Sequence, residues 1–383
     1  NQILASVAAG APVRNAWERA TPPRGFDRVD AHLHFSPREL DLLQTNGFVA
    51  LGRARYDSYA LAYHEVFRQQ LPVFVSVDSI LHAIFSAHGA MLLHIERDRL
   101  VPTLHRVLTR LRAELGRSRA RLSPDTVRDL DVYLSVAMRL LVPYDESPPL
   151  LAEDDAAVRE ALGVVETETL TPTMLFGRER MIDASQFAPR GHYVGGEPIE
   201  LPGLRSTELA SYFRAVMWLS RVEFNLVSRD CRSSQPGETP NPTETPREAL
   251  DALALAELAE RAGVFADLAL FERVYEVFAG RREDVSLPAL VALGRSAHVR
   301  SSDTHAFDAL RAAIGTGYVR TARTHFTPQG TVHLPVIATV LGPRIVPDIA
   351  ALEGLVHDRV PERFHLGFAD VGIAGCDLGA AEQ

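Results

Sequence analysis

Asp78 and His82 are spaced so that a helix would place a carboxylate beside an imidazole on one of its faces. A carboxylate in that position orients the imidazole of a general base or of a metal ligand. The alternative is structural, because Asp78 is also placed as a helix N-cap that accepts hydrogen bonds from the amides of the first turn. Both interpretations stay open from the sequence.

A second group is an arginine–tryptophan face on a predicted long helix, Thr207–Arg229. Arg214, Trp218 and Arg221 recur at i, i+4 and i+7 and therefore share one side of that helix. Two guanidinium groups flanking an indole ring suit an anionic or sugar ligand, through bidentate hydrogen bonds and stacking. The alternative is a helix buried on both sides, with its arginines paired to internal carboxylates.

The third group is the segment Arg190-Gly191-His192-Tyr193, which is polar and aromatic and contains a glycine that permits close backbone approach. Loops of this composition often line clefts. We expect a ligand site if this loop faces the other two groups across one cavity. The candidates for ligand binding are Asp78, His82, Arg190, His192, Tyr193, Arg214, Trp218 and Arg221.

We assign no catalytic role from the sequence and expect neither a metal site nor a cofactor. Asp30-Ala31-His32-Leu33-His34 resembles the metal-binding start of amidohydrolase barrels, where alternate residues of a strand point both imidazoles at one ion. Such barrels continue with alternating strands and helices, whereas the next hundred residues here show helical periodicity. We therefore regard metal binding by this motif as the weaker interpretation.

The sequence excludes several reaction classes. All forty basic residues of the Lys/Arg set are arginine, so a Schiff-base lysine, a pyridoxal-phosphate lysine and a P-loop lysine are missing. The chain also contains no G-x-S-x-G, H-E-x-x-H, C-x-x-C or G-x-G-x-x-G motif. Whether the protein is an enzyme stays an open question at this point.

Charge and hydropathy limit the partners. A net charge of −9 and a pI near 5.9 argue against a nucleic-acid partner, because a basic surface is needed to displace counterions. The longest apolar runs, Leu71–Val77 and Leu334–Leu341, have the length of strands, so no transmembrane segment is expected.

Periodicity predicts a mainly α, multi-helical globular protein with short extended segments. Thr331–Leu341 alternates and is predicted to be extended. We divide the chain into an irregular N-terminal arm (1–37), a helical N-terminal region (38–145), a central region with a long helix (146–230), a flexible loop or linker (231–246) and a helical C-terminal region (247–383). Cys231 and Cys376 are either one long-range disulfide or two unrelated buried thiols.

Four stretches resemble a bacterial and archaeal family catalogued as domain of unknown function 3160. They are 42–49 (LLQTNGFV), 72–83 (PVFVSVDSILHA), 187–193 (FAPRGHY) with 212–221 (YFRAVMWLSR), and 341–344 (LGPR) with 347–348 (PD) and 367–371 (GFADV). Ile345 and Val346 depart from the family pattern, in which an aromatic residue and a threonine are usual. The resemblance spans about residues 40–374 and implies a helix-rich fold and frequent export. It brings no known catalytic residue. Family members tend to be longer, so we expect the C-terminal region to be truncated relative to the family.

Two functional hypotheses follow. The first is an exported, non-enzymatic surface, scaffold or assembly component that binds protein partners or itself, located extracytoplasmically (periplasmic, outer-surface or secreted). The second is a hydrolase-like or ligand-binding enzyme with an Asp/His/Arg-lined pocket. The enzyme hypothesis predicts that the candidate side chains converge on one open pocket.

Overall fold

Helices dominate the computed structural model, which describes residues 22, 24–53, 55–72, 77–144, 148–201, 206–235, 239–317, 324–327 and 330–344. The prediction of a mainly α protein with short extended segments is confirmed. The chain divides into two units, Asn1–Ala87 and His88–Gln383, which we describe separately.

In the part that the structure describes, the first unit contains three complete helices and the beginning of a fourth. Ser36 starts the second of them, because its hydroxyl accepts from the Glu39 amide while the Glu39 carboxylate accepts from the Ser36 amide. Gly47 ends that helix at φ 79°, where an L side chain would be strained. The helices are α1 (Phe26–Leu33), α2 (Pro37–Asn46), α3 (Tyr59–Arg68) and α4 (Val77–Ile95), which continues into the second unit.

The Asp30–His34 motif lies on helix α1 rather than on a strand, within a region that we expected to be irregular. His34 ends α1 in the left-handed conformation, with φ 52°. A helix does not direct residues i and i+2 to one side, so the strand-based metal site that this motif suggests does not form here.

The second unit begins with the end of α4, which is followed directly by a π-helical turn, Glu96–Leu100. Its remaining elements, in chain order, are α5 (Val101–Ser118), α6 (Pro124–Leu141), α7 (Asp155–Glu166), β1 (Leu170–Leu175), β2 (Arg178–Asp183), α8 (Leu209–Arg221), β3 (Phe224–Val227), α9 (Pro246–Arg261), α10 (Phe265–Ala279), α11 (Leu287–Ser296), α12 (Ala306–Gly317), β4 (Thr324–Thr327), β5 (Gly330–His333) and β6 (Val336–Ala338).

The core of the second unit forms where α5, α6, α8 and α9 pack together. Tyr133 of α6 packs its ring against Trp218 of α8 at a centroid distance of 5.9 Å and edge-on against Phe224 at 5.1 Å. Helix α9 is buried along most of its length, and five of its buried positions are alanines that let neighbouring helices approach closely. The core therefore rests on an aromatic cluster beside a small-residue helix.

Among the described residues, three antiparallel strand pairs accompany the helices: β1 with β2, β3 with β6, and β4 with β5. The turn between β1 and β2 has positive φ at both Phe176 and Gly177, which is the geometry of a tight hairpin. A Cβ at Gly177 would lie 2.7 Å from an Arg247 nitrogen, so the glycine also makes room for that side chain. The extended segment predicted over Thr331–Leu341 is confirmed by β5 and β6.

The predicted helix Thr207–Arg229 is too long. Helix α8 covers only Leu209–Arg221, because Val222 adopts an extended backbone with ψ 94°. The chain then forms β3, which pairs with β6 more than a hundred residues later. Long-range pairing thus replaces the last helical turns, and local periodicity carries no information about it.

Two further expectations differ from the structure. Helix α4 begins at Val77, so Asp78 is its second residue and not its N-cap. The predicted linker 231–246 is hydrogen-bonded to its surroundings in its described parts. The Ser234 amide donates to Glu223 at 2.5 Å, and Glu244 accepts from the Ser228 amide at 2.8 Å.

Candidate functional site

A buried glutamate with a histidine and a tyrosine on its carboxylate is the polar centre of the second unit. Glu96 is 1% exposed and lies on the π-helical turn that joins α4 to α5. The Tyr193 hydroxyl donates to its Oε1 at 2.6 Å, and His192 Nε2 lies 2.6 Å from its Oε2. Both carboxylate oxygens are therefore occupied.

The loop that carries His192 and Tyr193 is held by aromatic packing. The rings of His192 and Tyr193 lie 4.0 Å apart, and Tyr193 packs on Phe213 of α8 at 4.7 Å. The Arg190 guanidinium lies over the Phe213 ring, 5.5 Å from the ring centre. We call Glu96, Arg190, His192 and Tyr193 the Glu96 centre.

Two phenols adjoin this centre, that of the buried Tyr212 and that of the half-buried Tyr275. The Tyr212 and Tyr275 hydroxyls are 2.7 Å apart, and the Arg344 guanidinium lies 5.5 Å from the Tyr275 ring centre. Burial raises the pKa of both tyrosines, and the nearby Glu96 charge raises them further. The phenols therefore stay protonated and present neutral O–H groups around the carboxylate.

The electrostatics of Glu96 are set by two opposing effects. Burial raises the pKa of its carboxyl group, while the hydrogen bonds from Tyr193 and His192 lower it, and burial is the larger effect. Burial also raises the pKa of Tyr193, and the adjoining Glu96 carboxylate raises it further. Perturbed carboxyl groups of this kind are concentrated at functional sites, as are π-helical turns.

The Glu96–His192 contact determines which imidazole nitrogen is free for chemistry. When Nε2–H donates to the carboxylate, Nδ1 carries the lone pair and can accept a proton. His192 is partly exposed, with 22% of its side chain accessible. The arrangement can therefore orient an imidazole whose Nδ1 takes up a proton.

Of the eight candidates predicted from the sequence, the structure brings Arg190, His192 and Tyr193 together. Arg214 and Arg221 lie on α8 but line two separate cavities, of about 580 and 130 Å³. Trp218 is fully buried, and its indole Nε1–H donates to the Tyr133 carbonyl at 3.0 Å. The predicted arginine–tryptophan face is therefore not a single surface, because its tryptophan belongs to the core. The convergence that the enzyme hypothesis predicts is found only for Arg190, His192 and Tyr193, and not for Arg214, Trp218 and Arg221.

Asp78 and His82 belong to the first unit. Both are exposed on α4, and His82 Nε2 lies 3.5 Å from the Ser86 hydroxyl.

Sequence reasoning missed Glu96, although one signal pointed to it. Glu96 follows Leu92 by four residues, which places a charged residue on the apolar stripe of the helix. Arg97, Asp98 and Arg99 follow it directly, and four charged residues in a row are typical of a solvated segment. This run therefore indicated an exposed position for Glu96 and not one in the core.

The described residues contain no group of three His, Cys, Asp or Glu side chains placed to hold a metal ion. Within the same residues, no helix is both long and apolar enough to cross a bilayer. Cys231 is buried, and Cys376 lies outside the described part of the chain.

Comparison with known proteins gives one result. A family model described as a protein of unknown function, DUF3160, matches residues 36–371. No curated protein and no solved structure matches the chain.

Proposed function

The chain belongs to the DUF3160 family of unknown function, and from its geometry we propose that it is a hydrolase-like enzyme whose general base is His192. The observation that carries this proposal is the 2.6 Å contact between His192 and the buried Glu96 carboxylate. Glu96 fixes the ring and its tautomer, as a carboxylate does in other base-catalysed hydrolyses. We propose an extracytoplasmic location, which the resemblance to an often exported family supports.

In the proposed reaction His192 Nδ1 removes a proton from water as the water oxygen attacks an ester carbonyl. The imidazolium then returns the proton to the leaving alkoxide as the carbon–oxygen bond breaks. Arg190 lies two residues before His192 and is exposed, and its guanidinium lies over the Phe213 ring. We propose that it binds an acidic group on the substrate.

The test is hydrolysis of two p-nitrophenyl esters, the neutral acetate and the negatively charged succinate half-ester. We expect the protein to hydrolyse the charged ester faster, and His192→Gln to reduce the rate by about 10²–10⁴-fold. Glu96→Gln should reduce it by about 10–100-fold, because the ring loses its orientation. Arg190→Gln should raise KM for the charged ester and leave the neutral ester unaffected.

His305→Gln is the matched control, since His305 is exposed and lies outside the Glu96 centre. If wild type, His192→Gln and His305→Gln all hydrolyse both esters at the same rate, the proposal is wrong.

A second candidate function, self-assembly, is favoured by a different observation. Helix α4 exposes large apolar side chains at positions that recur every three or four residues: Val77, Ile80, Leu81, Ile84 and Phe85, which are 48–76% exposed. An apolar stripe of this size marks an interaction surface. Two copies of one such helix can pack on each other about a twofold axis.

For self-assembly, we expect light scattering to detect a dimer that Phe85→Asp converts to a monomer. Val277→Asp is the control, because Val277 is equally exposed but lies on α10. A wild-type protein that is monomeric at all concentrations would exclude this candidate.

A further inference from the structure

A cavity of about 580 Å³ opens among three helices of the second unit. Its walls come from the end of α6, one face of α7 and the middle of α8. The volume is within the range of small-molecule sites. It contains no residue of the Glu96 centre. Its charged lining residues are Arg139, Asp155, Arg159, Glu166 and Arg214, and its apolar ones include Leu140, Leu162 and Val165.

One side of this cavity is rich in arginine. Arg139 donates to Asp155 at 2.8 Å, and Arg159 lies 3.2 Å from the same carboxylate. Asp155 is therefore shared by two cations, and its pKa is lowered chiefly by the hydrogen bond from Arg139. Arg214 faces the same space from α8, half-buried, and makes no ion pair or hydrogen bond among the described residues.

The other side is apolar. Leu140 and Val165 are buried, and Leu162 is half-buried beside them. A hydrophobic wall facing a half-buried arginine suits a ligand with two parts. The apolar part packs against the leucines and the valine and is removed from water. The anionic group accepts two hydrogen bonds from the guanidinium.

We propose that this cavity binds a single-chain amphiphile with a carboxylate head, such as a medium-chain fatty acid. Arg214 binds the head, and the chain lies along Leu140, Leu162 and Val165. Arg139 and Arg159 are paired with Asp155, and three arginines against the two acids Asp155 and Glu166 leave the lining with one excess positive charge. The proposal goes beyond the hydrolase-like function, because it concerns a different site and needs no turnover.

Isothermal titration calorimetry with decanoate, below its micelle concentration, tests the proposal. We expect one saturable site, whereas acetate, which lacks the chain, and decanol, which lacks the charge, should bind at least tenfold more weakly. Arg214→Gln should weaken decanoate binding about tenfold or more, and Arg214→Lys should weaken it less. Arg119→Gln, at an exposed arginine outside the cavity, should leave binding unchanged.

Three outcomes would overturn the proposal: no saturable heat with decanoate, equal binding by Arg214→Gln and Arg119→Gln, or equal affinity for decanoate and decanol. Equal affinity for decanoate and acetate would show that the alkyl chain contributes nothing. The cavity would then be a simple anion site and not an amphiphile site. If Arg214→Gln loses its helical circular dichroism, Leu162→Phe, which narrows the apolar wall and keeps the charge, provides the same comparison.

Discussion

Glu96 is the residue on which the candidate site depends, because its carboxylate accepts from two side chains in a buried setting. Replacing it by alanine leaves the Tyr193 hydroxyl and the His192 ring without their acceptor. Unsatisfied buried polar groups of this kind cost about 1–3 kcal/mol. We therefore expect Glu96→Ala to lower the free energy of unfolding by about that amount in urea titrations.

Glu96→Gln is the matched control for this stability prediction, since its amide oxygen still accepts one hydrogen bond. We expect it to lose less than half of what Glu96→Ala loses. If Glu96→Ala and Glu96→Gln are equally stable, the hydrogen bonds from His192 and Tyr193 to the Glu96 carboxylate do not stabilise the loop that carries these two residues.

At the same scale, the sequence located three of the four residues of the Glu96 centre. The composition of the loop pointed to Arg190, His192 and Tyr193, and the structure places these three residues together. Glu96 was not found, because its burial depends on packing against a loop almost a hundred residues away. Trp218 was placed on a ligand face because residue type does not show which side of an amphipathic helix meets the core.

Among the elements, helix α6 shows how far local signals reach. The sequence Ser123-Pro124-Asp125 is typical of a helix start, and in the structure the Ser123 hydroxyl accepts from the Thr126 amide at 3.0 Å. Capping of this kind contributes about 1 kcal/mol. We expect Ser123→Ala to lower the free energy of unfolding by that amount, measured by urea denaturation.

Ser296→Ala is the control for the capping prediction. Ser296 ends α11, and its exposed hydroxyl donates to the Leu293 carbonyl rather than accepting from a helix amide. If Ser123→Ala and Ser296→Ala change stability equally, the cap is not what fixes the start of α6.

Helix α8 shows where local signals stop. Its apolar periodicity continues past Arg221, but the chain leaves the helix at Val222 and forms β3. The cause is pairing with β6, which is distant in sequence and therefore absent from any local window. The caps and helix periods were predictable, and the strand partners were not.

Across the whole second unit, one buried carboxyl pair should make stability depend on pH. Asp251 of α9 lies beside Asp129 of α6, and Arg247 donates to Asp129 at 2.9 Å. Burial raises the pKa of Asp251 well above its usual range, and the Asp129 charge raises it further. Asp251 is therefore favoured in its protonated form in the folded protein.

The sign of the effect follows from linkage. A carboxyl group whose pKa is raised by folding contributes its full stability below its unfolded pKa, about 3.9. That stability is lost as the pH rises through the folded pKa. We expect Asp251→Asn to remove this dependence, so that the variant gains stability relative to wild type as the pH rises from about 4 into the neutral range.

Urea midpoints measured across that pH range test this prediction, with Asp303→Asn, at an exposed carboxyl, as the control. Parallel curves for wild type and Asp251→Asn would show that Asp251 does not titrate with folding.

The measurement that bears most directly on the proposed function is the rate of ester hydrolysis in wild type and His192→Gln, compared at one pH and one substrate concentration. We predict that the wild-type rate exceeds that of the variant by about 10²-fold or more, while His305→Gln matches wild type. Equal rates in all three proteins would contradict a general base at His192 and leave the Glu96 centre as a structural anchor for its loop.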